Sequence, residues 1–248
     1  MRYLIPILLL MSTFTVCSQY SIPILKMYKS DKSIINTPLA DIDSLVHVTI
    51  VYHETIKIGT QLWASRNLDV STYRNGDPIR YASTPEEWQD AANKGEGAWC
   101  YYGNDPKNGE IYGKLYNWYA VKDARGLAPS DYHIPSDLEW SLLSEYLGGE
   151  KIAGFKMKST SGWRNYQYIY NGNGDNSSGF NGLPGGYCNY NYGGNFYGIT
   201  ESAYFWSSSE YEGDGYAWNR NMSIEDSRVI RQVFDKIYGF SVRCLADY

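Results

Sequence analysis

Apolar and polar residues alternate in "VHVTIVY" (Val46 to Tyr52) and again through "TIKIGTQLWASRNL" (Thr55 to Leu68), the period of two that half-buried strands show. The period then lengthens, and three helices are predicted. In "TPEEWQDAANKG" Thr84 caps, Pro85 takes the first helical position, Glu87 completes a capping box and Gly95 ends the run. In "GEIYGKLYNWYAVKDARG" Ile111, Leu115, Trp118 and Tyr119 share one face, and Gly126 is the stop. In "HIPSDLEWSLLSEYLGG" Ser136 caps, Glu139 answers it, and Leu138, Leu142, Tyr146 and Leu147 form the predicted core stripe before Gly148 and Gly149. From there to Ala203 no helical period is present. Short strands return at "YFWSSS", "YAWNRNMS", "RVIRQVF" and "YGFSVRCL".

The first residues follow a different rule. Arg2 precedes an apolar run from Tyr3 to Met11, too short to span a bilayer as a helix, and small residues follow. This reads as a secretory signal peptide over residues 1–18, with Val16 and Ser18 at the −3 and −1 positions and Gln19 first in the mature chain. Cys17 keeps a rival open, lipidation at a lipobox, although Val16 is a poor residue before such a cysteine. Residues 19–54 read as a leader and 55–247 as the main domain. The mature chain has no segment long and apolar enough for a transmembrane helix.

Composition sharpens the picture. Hydrophobic residues make up 43% and charged residues 20%, enough for a real core, but 16% aromatic with 25 Tyr and 8 Trp is high. Tyr and Trp join an apolar face to a polar tip and suit half-wet binding surfaces. A formal net charge of −5 without clustered bases argues against nucleic acid. The stretch "GFNGLPGGYCNYNYGGNFYG" (179–198) holds no charged residue and consists almost wholly of Gly, Asn and Tyr. By composition it fits a disordered linker as well as an ordered loop presenting rings.

The motifs "IKIGTQLWASRNLDVSTYRNGDPI", "AWCYYGND", "YGKLYNWYAV", "APSDYHIPSDLEW", "SSGFNGLPGGY", "AYFWSSSE" and "YGFSVRCLAD" occur in that order. Together they resemble the Fibrobacter succinogenes major paralogous domain, from about Thr55 to Asp247. The resemblance implies an α+β, C-type-lectin-like fold, with helices packed on a small twisted antiparallel sheet and a long irregular loop region. It also implies that the loop is ordered. The fold group includes formylglycine-generating enzymes, whose "LPTEAEWE"-type helix start is similar to "IPSDLEWS" here. Because lectin-like folds commonly tie an early helical segment to the last strand, it further implies a disulfide between Cys100 and Cys244, with two buried free thiols as the alternative. Such a bridge would contribute about 4–5 kcal/mol in the chain-entropy account.

Candidate chemistry is sparse. Enzymes of the formylglycine-generating type need two reactive cysteines close together. Here Cys188 follows "GGY", but Gly193 stands five residues on. A nucleophile would also need a base, and His47, His53 and His133 lie in strand-like stretches or before a helix. No catalytic residue, cofactor or metal is therefore expected. Asn171, Asn173 and Asp175 alternate oxygen atoms as a calcium loop does, but Asn176 and Gly182 stand where an EF-hand requires Gly and Glu. A turn bonded by its own Asn side chains is the plainer reading. From Trp163 to Trp218 the only base is Arg164, against five acids, ten Tyr and eight Asn. Rings beside small amides resemble an antibody paratope and match the alternating C–H faces and hydroxyls of sugars. Asn189, Tyr190, Asn191, Tyr192 and Trp206 are the expected ligand-binding residues. The function expected is an exported, non-catalytic module that binds extracellular glycan. The alternative is a structural or adhesive surface module that contacts partner proteins.

Overall fold

The computed structural model describes residues 55–167, 170–189, 195–213 and 215–247 together with three backbone segments nearer the start, 8–10, 24–28 and 34–38. Those three segments belong to a unit spanning Met1–His53. They are β1 (Leu8–Leu10), β2 (Ile24–Tyr28) and β3 (Ile34–Pro38), an antiparallel sheet in sequence order. The strand expected over Val46–Tyr52 lies outside the described residues.

The second unit, Glu54–Tyr248, mixes helices and sheets in an α+β arrangement. Its first strand is a hairpin rather than one long element: β4 (Thr55–Ile58) turns through Gly59 into β5 (Gln61–Ala64). Gly59 sits at φ 62°, and a Cβ there would meet the Tyr146 ring at 2.9 Å, so both the turn and the close approach require glycine. β6 (Arg80–Tyr81) leads to α1 (Pro85–Asn93), which forms as predicted with the reciprocal Thr84–Glu87 cap and buries Trp88, Ala91 and Ala92.

The second predicted helix does not form as one element. It is divided into α2 (Pro106–Tyr112), β8 (Leu115–Tyr116) and α3 (Trp118–Lys122), after β7 (Ala98–Cys100). Gly113 at φ 74°, ψ −165° ends α2. Asn117 then restarts the helix, its Oδ1 accepting from the amides of Ala120 and Ala98 while its Nδ2 donates to Glu96. The expected face is not kept: Leu115 and Trp118 are buried from β8 and α3, Tyr119 is partly buried, and Ile111 on α2 is 57% exposed.

β9 (Tyr132–His133) precedes α4 (Asp137–Tyr146), whose Ser136–Glu139 capping box is present as predicted. Of the expected core stripe only Leu147 is buried. Trp140, Leu143 and Ser144 face the core with Leu147, while Leu138, Leu142 and Tyr146 are 67%, 48% and 66% exposed. A further helix, α5 (Glu150–Met157), starts directly after Gly149. It packs so closely on the chain at Ser227–Arg228 that a Cβ on Gly154 would stand 2.2 Å from the Arg228 carbonyl oxygen.

The C-terminal half supplies β10 (Gly185–Asn189), β11 (Asn195–Ile199), β12 (Ser202–Glu210), β13 (Tyr216–Ser223), β14 (Ile230–Asp235) and β15 (Leu245–Ala246). Five of these form one sheet, ordered β11-β10-β12-β13-β14, antiparallel except for the β10–β12 pair. β15 returns to the start of the unit, pairing with β5 through Leu245 and Trp63 and with β9 on its other edge. The rings of Trp63, Trp140, Phe180 and Phe205 pack together at centroid distances of 4.7 to 5.8 Å and are buried. One of them, Phe180, comes from the glycine-rich stretch itself.

Candidate functional site

The chain between α5 and β10 lacks regular structure but is densely bonded. Trp163, 3% exposed, donates its indole N–H toward Ser159 and the Gly182 carbonyl. Backbone bonds tie Ser159 to Gly182, Gly174 to Ser159, Asp175 to Phe155, and Gly182 to Met157. Gly172 and Gly174 have backbone carbonyls where a Cβ would stand, 2.2 Å away in each case. Glycine here permits strands of chain to lie against each other.

The polar side chains of this segment are spent on the turn. Asn171 Oδ1 accepts from the amide and side chain of Asn173, Asn173 Oδ1 accepts from the Trp163 amide, and Asp175 Oδ1 accepts from the Ser177 amide. Asn176, at φ 51°, accepts from the Asn181 amide. The oxygens that suggested calcium hold the backbone. Among the described residues no group of three His, Cys, Asp or Glu side chains could hold a metal ion.

Beside this segment lies a cleft of about 360 Å³, lined by Phe155, Lys158, Tyr166, Tyr170, Asn171 and Asn173 on one side and Ile224 to Ser227 on the other. Tyr166 and Tyr170 face each other across a two-bond bridge, N to O at 2.8 and 3.0 Å. That bridge fixes the Tyr170 backbone while leaving the residue 63% exposed. Lys158 is buried at the base. Its ammonium donates to the carbonyls of Ser223 and Asp226 and lies 5.2 Å from the Trp163 ring centre. Burial pulls its pKa down to about 8, against a smaller upward push from Asp226. The acid Asp226 is engaged by Arg228, whereas the Glu225 side chain stands exposed at the rim. The cleft thus offers an exposed ring and a carboxylate, above a lysine whose donors are directed to backbone carbonyls.

Within the glycine-rich stretch 179–198, β10 pairs antiparallel with β11, with Asn189 opposite Asn195 as the last described pair. Asn189 Nδ2 donates to the Tyr238 hydroxyl at 2.9 Å. Tyr187 stacks on Tyr197 with ring centres 5.5 Å apart. Tyr190, Asn191 and Tyr192 lie outside the described residues. Trp206 is fully buried against Phe240, its indole N–H donating to the Tyr116 carbonyl, so it is a core residue and not a ligand contact. The sequence reading missed Tyr166, Tyr170 and Glu225. The available signal was Tyr170 immediately before the self-bonding "NGNG" turn, an exposed ring on a fixed backbone.

The expected Cys100–Cys244 bridge is not present. All three described cysteines are free and buried. Cys100 lies with Trp88, Leu115 and Ile237, whereas Cys244 belongs to a separate cluster around Trp206 and Phe240. The nearest sulfur to Cys100 is that of Cys188, at 3.6 Å. His133 does more than close a helix entrance: its ring nitrogens meet Asp247 at 2.5 Å and Glu139 at 2.9 Å.

No helix among the described residues is long and apolar enough to cross a membrane. Searches of curated proteins and of solved structures gave no significant match. A profile of the Fibrobacter succinogenes major domain matches residues 56–246, which is nearly the whole second unit. On that match, the chain belongs to the Fibrobacter succinogenes major domain family.

Proposed function

We propose that this chain is an exported, non-catalytic binding module of C-type-lectin-like type that recognises extracellular glycan, with the Tyr170 cleft as its principal contact. The observation that carries the reading is Tyr170 itself. Its backbone is held by the bridge to Tyr166 and its ring is left to solvent between Asn171 and the acidic rim. A ring exposed on a fixed backbone is preorganised to stack on a sugar face, since little ordering cost remains at binding. Tyr190 and Tyr192, in the sequence between β10 and β11, are the second contact in this reading.

A binding role rather than catalysis is supported by how the reactive groups are occupied. The described thiols are buried, the His133 ring nitrogens are bonded to two carboxylates, and Lys158 is bonded to carbonyls. Export rests on Arg2 and the apolar run that follows it. Cleavage after Ser18 would remove β1 and leave the β2–β3 hairpin at the mature start.

One observation favours the alternative of a surface module that contacts partner proteins. Leu138, Leu142 and Tyr146 on α4 expose an apolar row at helical spacing, and Ile152 and Phe155 on α5 are exposed as well. An array of immobilised neutral and acidic polysaccharides decides between the two. The glycan reading predicts retention on neutral polysaccharide, competed by the matching free oligosaccharide. Absence of retention on every glycan, with retention on a surface-protein extract that a Leu142→Lys change abolishes, would move the reading to adhesion.

A further inference from the structure

Two of the three described cysteines are placed as a pair, and nothing in the proposed binding role uses them. Cys100 ends β7 and sits opposite Leu115 of β8 in one sheet. Cys188 lies in β10 of the five-stranded sheet and is bonded on both sides to Gly239: its amide donates to the Gly239 carbonyl at 3.0 Å, and the Gly239 amide donates back at 2.9 Å. Two ladders therefore fix the two backbones independently, and the sulfurs meet between the sheets at 3.6 Å. Both residues are 0% exposed.

The surroundings make room for sulfur. Ala82, Ala91 and Ala98 supply small neighbours in the same cluster. Gly239 has no side chain where a Cβ would stand 2.2 Å from the Cys188 sulfur. Cys244 shows what an unpaired core thiol looks like in this chain: it is buried in a different cluster, where no other described cysteine lies.

We propose that Cys100 and Cys188 are a latent disulfide, oxidised as the chain folds, and that the bond clamps the helical half of the unit to the five-stranded sheet. A disulfide needs its sulfurs at about 2.0 Å and its Cβ atoms within about 4.5 Å. From 3.6 Å the sulfurs need travel only about 1.5 Å, a distance that side-chain torsion covers. The oxidant is a small or protein disulfide. One cysteine, as thiolate, attacks it to give a mixed disulfide and release one thiol. The second cysteine displaces the remaining thiol and closes the Cys100–Cys188 bond. The two electrons pass from the cysteines to the oxidant, and their two protons end on the two thiols released.

The bond would join residues 88 apart and enclose the segment that builds one wall of the Tyr170 cleft, Phe155 to Asn173. Closing a long loop removes freedom from the unfolded chain, so the oxidised form should melt several degrees higher than the reduced one. Once formed, the bond is sealed in the core and exchanges only when the cluster opens.

The test is to refold the full reduced chain in a mixture of reduced and oxidised glutathione, block free thiols with iodoacetamide under denaturing conditions, and map the peptides. The expected result is one linked pair carrying Cys100 and Cys188, with Cys244 alkylated. The parent chain unfolded, reduced and refolded in dithiothreitol should melt below the oxidised chain, whereas the same treatment should not shift a Cys100→Ala, Cys188→Ala double variant. Alkylation of both Cys100 and Cys188 would overturn the proposal, as would either one linked to Cys17 or Cys244. Equal melting temperatures of the parent chain refolded with and without dithiothreitol would do the same.

Discussion

Arg243 shows how much a single residue carries. It is 1% exposed and its guanidinium has no carboxylate partner among the described residues. Instead it donates to the carbonyls of Ala64 and Phe180 and twice to Asn67 Oδ1, and it lies 4.4 Å from the Phe180 ring centre. Burial without a counter-charge pulls its pKa down to about 9. Arg243→Ala would take the guanidinium from two buried carbonyls and the half-buried Asn67 Oδ1 and leave a cavity. A loss of about 3–5 kcal/mol is expected in urea melts. Arg243→Lys recovers little, because an ammonium cannot reproduce the fork.

His133 gives the residue scale its pH dependence. Burial works against the charged ring, but the hydrogen bonds it donates to Asp247 and Glu139 outweigh it and its folded pKa is raised. The contribution is thus fully present below the unfolded value near 6.5 and is lost as pH rises through the folded value. The melting temperature should fall across that window in the parent chain and stay flatter in His133→Gln. An equal fall in both would remove the link. Trp206 teaches a lesson of the same size. The β12 strand has Phe205, Trp206 and Ser207 buried in succession, so alternation could not say which face was wet. The residue before each motif was legible, but its direction was not.

At the scale of elements, caps were legible and faces were not. Thr84–Glu87 and Ser136–Glu139 bond as their spacing indicated, because a cap is a local matter of which amides lack partners. The buried face of α4 depends on what lies opposite, and Trp140 settles it by joining the Trp63–Phe180–Phe205 cluster. Leu138, Leu142 and Tyr146 fitted a helical period and still ended in solvent. Leu143→Ala should therefore cost about 2–5 kcal/mol, while Leu142→Ala should stay within about 0.5 kcal/mol of the parent in chemical denaturation. Equal losses at the two positions would restore the predicted stripe. The missed α5 has eight residues with a glycine inside, too short and too weakly patterned for its period to be read.

For the whole molecule, the order of motifs carried the family and the α+β class, because the pieces recur in sequence regardless of how they pack. What the sequence could not carry was which distant pieces meet. β15 beside β5, Cys188 beside Cys100 and Trp163 over Gly182 are contacts between residues far apart in the chain or held by an irregular one. The cleft was hidden for the same reason. Its two sides come from 155–173 and 224–227, and only the fold joins them. The amides of the "NGNG" stretch bond to one another and to the Trp163 amide to hold the loop, and the Tyr170 ring before them is 63% exposed.

The central claim is that the Tyr170 ring meets a sugar. The most direct measurement is calorimetric titration of a neutral oligosaccharide into the parent chain, Tyr170→Ala, and Tyr190→Ala, Tyr192→Ala, each paired with a thermal melt. Stacking worth about 1–2 kcal/mol predicts a roughly 5- to 30-fold loss of affinity in Tyr170→Ala with an unchanged melting temperature. A smaller loss is expected for the Tyr190→Ala, Tyr192→Ala variant. Undiminished binding in Tyr170→Ala would contradict the account, and so would a fall in its melting temperature large enough to show that the ring supports the loop.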